Sequence, residues 1–293
     1  MKKIFFYLFS FLILLFFLEG CFVKRERVKL SVSYKNAKTL SRDEVLSMLK
    51  ERSKSLKTLL IKKGKFRFIA ISKKVNEKYP TVRGLLIADF KKNLRLQIFA
   101  PVVKSCVFDL LQKGDKFQIW YPKKRILYVG STGKEIKFNA LLEDKRDLKY
   151  NLKNIRPSHL YDIFFLGFDC KNLKDVLVEE FNDRFYRYYM VTETGKDESG
   201  NLIPLREYFV ERSTLQIVKK KIFDVKGRLA GVVNYYNFKR FGDINFPTFI
   251  SLERERDGYR VEISLKEVLL NEKLPEKSFI LKLPRHYKIK KLN

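Results

Sequence analysis

The stretch RGLLIADFKKNLRLQIFAP, residues 83–101, shows the pattern that decides the fold. Leu86, Leu96 and Ile98 fall on alternate positions of two apolar segments, as expected of strands that bury one face. The polar run Lys91-Lys92-Asn93 separates the segments and is short enough for a tight turn. The stretch therefore predicts two neighbouring antiparallel strands.

The same period of two continues along most of the chain. We expect strands near residues 59–72, 82–90, 94–100, 105–112, 115–121, 125–129, 175–182, 184–194, 203–213, 216–224, 229–239, 247–256, 259–266 and 279–283. Turn signals such as Lys113-Gly114-Asp115 and Asp257-Gly258 favour antiparallel neighbours. Many strands with few helices predict a mostly β, α+β fold, with one strongly curved sheet or open barrel closed on one side by helices.

Two or three helices are expected beside this sheet. Ser41-Arg42-Asp43-Glu44 has the spacing of a capping box, in which serine accepts from the third amide and glutamate reaches back. Val45, Leu49 and Leu56 then mark one face of a helix that runs to about Leu56. A second short helix is predicted from the spacing of Leu160, Ile163 and Phe164.

The N-terminus has the features of an export signal. Lys2 and Lys3 precede fifteen mainly apolar residues, 4–18. A helix of this length spans roughly 22 Å, which is short for a bilayer core. Leu18-Glu19-Gly20-Cys21 then resembles the lipobox of bacterial lipoproteins, in which the cysteine receives diacylglycerol. Glu19 departs from the small residue usual there, and a short retained anchor is the alternative interpretation.

These features divide the chain into four parts. Residues 1–20 form the predicted lipoprotein signal peptide, and 21–40 the lipidated N-terminus and a polar tether. Residues 41–284 form the predicted folded domain, followed by a basic tail at 285–293. Two acyl chains on a thioether-linked diacylglycerol suffice for stable membrane anchoring.

The net charge limits the partners but does not choose among them. The formal net charge is +29 at pH 7, which favours contact with anionic surfaces such as lipid head groups or nucleic acid. Export argues against nucleic acid, which we exclude as a partner. The basic residues are dispersed along the chain, so a solvated surface or a Lys-rich proteome explains them as well.

The sequence offers no catalytic or metal-binding constellation. Its two histidines, His159 and His286, lack metal-ligand spacing, and no nucleophile elbow, phosphate loop or dinucleotide motif occurs. We therefore expect a non-enzyme with no metal and no cofactor apart from covalent diacylglycerol and an N-acyl chain on Cys21. Cys106 and Cys170 either form a disulfide or remain reduced, with Cys106 packed as a small hydrophobe.

Residues 83–101 also resemble the early strands of the LolA/LolB lipoprotein-localisation family, and later segments are similar to its following strands. These later segments are 107–111, 117–122, 128–130, 233–238, 245–250, 274–279 and 283–284. The resemblance implies an antiparallel half barrel with lid helices around an apolar cavity for acyl chains. The candidate cavity residues are Phe66, Phe68, Leu86, Leu96, Ile98, Phe108, Leu110, Phe117 and Ile119, for which a closed core is the alternative.

The family resemblance also implies a function and a location. The turn that corresponds to the projecting apolar loop of the family's membrane-anchored members contains Val102 and Val103, which could equally be ordinary strand-end residues. Implied partners are membrane lipid, an acylated lipoprotein or lipid cargo, and a soluble LolA-like carrier. Phe22 rather than Asp follows Cys21, so we expect the periplasmic face of the outer membrane, with the inner membrane as alternative. The alternative function is an envelope-stress or assembly module that binds a protein partner without lipid transfer.

Overall fold

The computed structural model describes residues 37–71, 77–100, 105–132, 157–165, 168, 173–182 and 187–292. The predicted lipidation site Cys21, the predicted loop residues Val102 and Val103, and Cys170 lie outside these described residues. Among the described residues, no helix has the length and hydrophobicity needed to cross a membrane.

The first helix, α1 (Arg42–Ser55), begins with the predicted capping box. The Ser41 amide donates to Glu44 Oε2 at 2.7 Å, and the Ser41 hydroxyl accepts from the Glu44 amide. These hydrogen bonds lower the pKa of Glu44. Val45 and Leu49 are fully buried, as the helical spacing predicts. The second helix, α2 (Pro157–Phe164), also lies where the sequence predicts it.

The strands match the predicted pattern in most places. Their bounds are β1 (Thr58–Ala70), β2 (Glu77–Lys78), β3 (Val82–Asp89), β4 (Asn93–Phe99), β5 (Cys106–Lys113), β6 (Lys116–Tyr121), β7 (Ile126–Ser131), β8 (Val176–Asn182), β9 (Arg187–Lys196), β10 (Leu202–Glu211), β11 (Ile217–Phe223), β12 (Leu229–Phe241), β13 (Ile244–Arg254), β14 (Tyr259–Leu270) and β15 (Lys288–Lys291). Short 3-10 turns lie at Pro122–Lys124, Leu173–Asp175, Glu255–Asp257 and Glu276–Phe279.

All described strands belong to one curved, unclosed sheet. Its order is β15-β7-β6-β5-β4-β3-β1-β14-β13-β12-β11-β10-β9-β8, with β2 paired to β1. Neighbours are antiparallel except β15, which runs parallel to β7. The pairing of β1 with β14 joins the early strands to the late strands. The mostly β fold class is therefore confirmed, with two helices in the described part of the chain.

The two ends and the two faces of the sheet differ in what they carry. We call the end where β1 begins and β3 ends the near end, and the opposite end the far end. We call the face that carries Phe66 and Leu86 the inner face. Both helices lie against it, because Val45 of α1 and Leu160 of α2 join the same hydrophobic cluster as those strand residues. The core therefore lies between the helices and the inner face.

In β1, a β-bulge close to the near end of the sheet interrupts the alternation of buried and exposed residues. Lys62 and Lys63 are both exposed in succession, and the pairing of β1 with β14 shifts register at this point. A bulge bends a strand and increases its twist, so it contributes to the curvature of the sheet. The dibasic pair in the sequence thus marks an irregularity in a strand.

The C-terminal segment differs from the prediction. The predicted strand at 279–283 is wrong, since the 3-10 turn Glu276–Phe279 is followed by irregular structure. The segment crosses the outer face, where the Arg95 guanidinium donates to the Ser278 carbonyl at 3.1 Å and Tyr287 packs edge-on against Trp120. It then adds β15 inside the region interpreted as a basic tail. The local sequence pattern does not indicate these contacts between distant segments.

A glycine pair makes room for one aromatic ring on the inner face. Gly64 and Gly84 are register partners on β1 and β3. A Cβ atom at Gly84 would lie 2.5 Å from Cε2 of Phe66, and one at Gly64 would lie 2.8 Å from the same atom. The Phe66 ring therefore occupies the space that two side chains would fill.

We expect Gly84→Val to destabilise the fold by about 1–3 kcal/mol, because the new side chain must displace the Phe66 ring. Urea unfolding followed by circular dichroism measures the change in the free energy of unfolding. The matched control is Arg83→Val, at the exposed neighbouring position, which should change it by less than about 0.5 kcal/mol. Equal stability of the Gly84 variant and the wild type would contradict the packing argument.

Candidate functional site

The nine candidate cavity residues share one face but pack tightly. Each is at most 3% exposed, and all nine belong to one hydrophobic cluster together with residues of α1 and α2. The nine residues therefore lie together, as the alternation in the sequence predicts. Their tight packing matches the alternative interpretation, in which they form a closed core. Their role in binding acyl chains stays a prediction, because none of them lines the pocket at the near end of the sheet.

This pocket, of about 320 Å³, lies between the helices and strands β11 to β13. It is partly open to solvent. The lining residues come from the end of α1, the end of α2 and three strands: Glu51, Arg52, Ser53, Ser55, Leu56, Ile163, Phe164, Phe165, Gln216, Ile217, Tyr235, Phe238, Asp243, Ile244, Asn245, Phe246 and Pro247. Distant parts of the sequence therefore build one site.

The pocket combines an apolar interior with a polar border. Ile163, Phe164 and Phe246 are buried side chains of its wall, whereas Glu51 and Asp243 are exposed. Ligand pockets in proteins start at about 300 Å³ and are mostly apolar with a few polar groups that fix orientation. The pocket has the size and chemistry to take an apolar chain with a polar end.

Local features hold the walls in place. Arg52, on the last turn of α1, donates to the carbonyl of Leu215 in the turn between β10 and β11. Burial lowers the pKa of this guanidinium. On the opposite wall, the β12–β13 hairpin turns at Gly242, whose φ of +58° is a conformation that glycine adopts without strain. These contacts fix the end of α1 against the strands.

Buried polar groups attach α2 to the sheet. Lys220 of β11 is fully buried, and its ammonium group donates to the carbonyl oxygens of Asp162 at 3.1 Å and Phe165 at 3.5 Å. The Tyr235 hydroxyl donates to the carbonyl of Ile163 at 2.9 Å. Carbonyls at a helix C-terminus lack partners within the helix and carry partial negative charge, so a lysine is a favourable cap. The helix that forms one pocket wall is thereby held in a fixed position.

The surroundings of Lys220 shift several pKa values. Burial lowers the pKa of Lys220 to about 8. Burial also raises the pKa of Glu193, whose carboxylate accepts from Arg206 at 3.1 Å and from the Tyr208 hydroxyl at 3.4 Å. Glu193, Arg206 and Tyr208 are therefore hydrogen-bonded to one another, next to the lysine that attaches α2.

The described part of the chain contains neither a metal-binding cluster nor a thiol with a lowered pKa. No three His, Cys, Asp or Glu side chains converge there as a metal site. The buried His159 pairs through Nδ1 with the Tyr259 hydroxyl at 3.1 Å. Burial raises the pKa of the Cys106 thiol, which donates to the Phe108 carbonyl at 3.4 Å. Cys170 lies outside the described residues, so a disulfide between Cys106 and Cys170 stays a prediction.

Sequence reasoning missed the pocket, although it identified several of its elements. The helix to Leu56 and the helix around Ile163 were both predicted, and each contributes wall residues. The available signal was the break in apolar alternation at Asn245-Phe246-Pro247, where Phe246 and Pro247 are both buried in succession. That signal does not indicate which distant residues lie opposite.

Solved structures share this architecture, a curved, unclosed sheet with helices packed against its inner face. A LolA superfamily protein from Nitrosomonas europaea is 18% identical, with a TM-score of 0.51 over 83% of this chain and 99% of that chain. A DUF1329 family protein from Desulfovibrio piger is 13% identical, with a TM-score of 0.51 over 81% and 95%. The chain therefore shares the fold of LolA superfamily proteins.

A third solved structure is less similar, and two other comparisons found no match. A putative outer membrane lipoprotein-sorting protein domain from Vibrio parahaemolyticus is 10% identical, with a TM-score of 0.48 over 80% of this chain and 94% of that chain. No protein-family model and no curated protein matches the sequence. At these identities the likeness concerns the fold.

The pKa of Lys220 predicts how stability depends on pH. Because this pKa is lower in the folded chain than the usual value of 10.5, the unfolded chain binds the extra proton between the two values, and stability rises with pH in that window. From about pH 7 to about pH 9.5 the gain from this group should be about 2 kcal/mol.

Urea unfolding of the wild type and Lys220→Met at a series of pH values measures this gain. The free energy of unfolding should rise more steeply with pH in the wild type than in the variant. Lys219→Met, a change at the neighbouring position on the other face, should keep the wild-type slope. Parallel pH profiles for the wild type and Lys220→Met would show that burial does not lower the pKa of Lys220.

Proposed function

We propose that the protein binds acyl chains in the near-end pocket and helps to sort or insert lipoproteins or lipids at the outer membrane. The observation that carries this proposal is the pocket of about 320 Å³ with an apolar wall and a polar border. Burial of each methylene group would contribute about 0.8 kcal/mol, so part of one acyl chain gives useful affinity without any chemical step. The function is therefore non-enzymatic transfer, driven by differences in burial.

We place the acyl-chain site of this proposal in the near-end pocket, whereas the sequence suggested a cavity among the nine inner-face residues. The nine inner-face residues form the packed base of the domain, and the chain-binding surface shifts to residues such as Ile217, Phe238 and Phe246. The polar border, with Arg52 and Gln216, would stay in contact with the head of an acylated cargo. Cargo of this kind is an acylated lipoprotein or a lipid, delivered by a soluble LolA-like carrier.

The proposal includes an envelope location. Cys21 would carry diacylglycerol and an N-acyl chain, and the tether would connect it to the domain on the periplasmic face of the outer membrane. Two acyl chains on one cysteine supply the two hydrophobic signals needed for stable anchoring. The fold shared with a LolA superfamily protein supports an envelope role at this coarse level.

Phe238→Glu should weaken binding of a fluorescent acylated peptide by about 10-fold to 100-fold, because the change removes an aromatic contact and places a charge in the apolar wall. Fluorescence anisotropy with the purified full chain in detergent measures the dissociation constant. Phe238 is only partly buried, so the variant should fold.

The matched control for this experiment is Phe249→Glu. Phe249 is also partly buried and lies on β13 opposite Tyr236, on the outer face. It should bind the acylated peptide as the wild type does. Equal loss in both variants, or no loss in Phe238→Glu, would remove the pocket from the proposal.

Cys21→Ala should abolish incorporation of labelled palmitate into the protein, because the thiol that accepts diacylglycerol is missing. Metabolic labelling followed by immunoprecipitation measures the incorporation. Cys106→Ala, which removes a thiol of the folded domain, should keep the label. An unlabelled wild type would argue for a retained N-terminal anchor instead.

One observation favours the alternative function of binding a protein partner. Strand β8 lies at the edge of the sheet and, within the described residues, pairs with β9 alone. Its Leu177 is 52% exposed, and its Phe181 is 43% exposed. An exposed edge with apolar side chains can accept a strand from another protein. A stoichiometric membrane-protein complex that Phe238→Glu leaves intact, without acyl-peptide binding by the wild type, would favour this alternative.

A further inference from the structure

The turn between β3 and β4 exposes an aromatic ring among lysines at the near end. Phe90 is 57% exposed, which is more than Phe181, the other exposed phenylalanine of the described chain. Lys91 and Lys92 follow it directly, and the Lys91 ammonium lies 6.0 Å from the centre of the Phe90 ring. An aromatic ring beside cationic side chains is the composition of a membrane-surface contact.

This turn is held in one conformation. The Asp89 carboxylate accepts from the backbone amides of Lys91 at 2.9 Å and Asn93 at 3.1 Å, and from the Asn93 side chain at 2.8 Å. The Phe90 amide donates to the Lys57 carbonyl at 2.9 Å. The backbone that carries Phe90 is therefore ordered before any contact, so little conformational entropy is lost when the ring is buried in another phase.

The charges around the turn are left available for an anionic partner. Lys57, Lys91, Lys92 and Lys113 are all exposed, and none forms an ion pair within the part of the chain that the structure describes. Asp89 is hydrogen-bonded within the turn itself. Each lysine near an anionic membrane adds to the electrostatic attraction between the protein and the membrane.

Two further features lie at the same end. The segment before α1 lies at this end, since the Lys38 amide donates to the Arg212 carbonyl at 3.0 Å just after β10. The pocket of about 320 Å³ also lies there. Helix α2 lies between the pocket and the turn, because the Tyr161 ring stacks on Phe165 of the pocket wall at 4.5 Å and the Lys92 backbone is close enough to affect the pKa of the Tyr161 hydroxyl.

The far end is the competing surface, and its charges differ. Leu202, Val225 and Leu229 are exposed there. The neighbouring Asp224 forms ion pairs with Arg228 at 2.8 Å and Arg256 at 3.0 Å, whereas Lys226, directly after Val225, is exposed and forms no ion pair among the described residues. Neither exposed apolar area nor a single unpaired lysine therefore distinguishes the ends, whereas an exposed aromatic ring among several unpaired lysines does.

We propose that the near end is a membrane-contact surface, in which Phe90 inserts into the head-group region of an anionic bilayer while Lys57, Lys91 and Lys92 contact lipid phosphates. This contact would bring the near-end pocket close to the membrane surface. It does not depend on what the pocket binds, so it can fail or hold independently of the proposed function.

Single-tryptophan variants of the full-length chain test the contact. Trp120, the only tryptophan, is 7% exposed, and Trp120→Phe gives a background without tryptophan fluorescence. In that background Phe90→Trp is reconstituted into vesicles of phosphatidylglycerol and phosphatidylcholine that carry a spin-labelled lipid quencher. The matched control is Val225→Trp, at a position that is 76% exposed at the far end.

We expect the tryptophan at position 90 to lose about half of its fluorescence to the quencher, as for a side chain at the boundary of head groups and acyl chains. The tryptophan at position 225 should lose almost none. Adding Lys91→Glu and Lys92→Glu, or using phosphatidylcholine alone, should reduce the quenching at position 90, whereas Lys123→Glu with Lys124→Glu should leave it unchanged.

Two kinds of outcome would overturn the inference. Absence of quenching at position 90 removes the contact. A tryptophan at position 225 that is quenched more strongly than the one at position 90 assigns the contact to another surface. The same holds for a Val102→Trp variant in the same background. Acyl-peptide binding by the Phe90→Trp variant, measured in detergent, reports separately on the pocket.

Discussion

The antiparallel pairing of β1 with β14 is the constraint on which the rest of the structure depends. It extends from Leu59 opposite Leu270 to Ala70 opposite Tyr259, and it joins strands that lie about two hundred residues apart in the chain. Without this ladder, the early hairpins and the late meander would be two sheets with separate edges. With it, inner-face residues from both halves, such as Phe66 and Ile263, contribute to one hydrophobic cluster that the helices cover. The pairing also brings α1, which leads directly into β1, beside the late strands that form the pocket.

The second constraint is the attachment of α2. A helix of eight residues has little stability of its own, and its position is fixed by Lys220 and Tyr235, which bond to carbonyls at its C-terminal end. A fully buried lysine is costly unless its hydrogen bonds are satisfied. The buried ammonium therefore favours one placement of the helix over others that apolar contacts alone would allow. Because α2 carries Phe164 and leads directly into Phe165, the same hydrogen bonds shape the pocket.

Local patterns predicted a large part of the fold because their physical causes are local. The capping box at Ser41 and Glu44 closes within one helical turn, and alternation from Val82 to Phe99 reports which side of a strand is buried. The prediction failed where long-range contacts decide. Residues 279–283 have strand-like composition, yet the segment lies across the outer face, where Arg95 binds the Ser278 carbonyl. The parallel partner of β15 is β7, more than one hundred and fifty residues earlier, and no local pattern indicates that choice.

The sequence by itself determined the class of fold, the two helices, the inner face and the strong positive charge, since each follows from residue type and spacing. It also supplied the predicted lipidation signal at Cys21. Only the tertiary structure decided that the nine inner-face residues pack as a core, because whether apolar side chains leave a cavity depends on what lies opposite them. It likewise placed the pocket between α1, α2 and the β12–β13 hairpin, and it placed Phe90 with its lysines at the same end of the sheet. These features depend on side chains far apart in the chain, and their distances are set by folding.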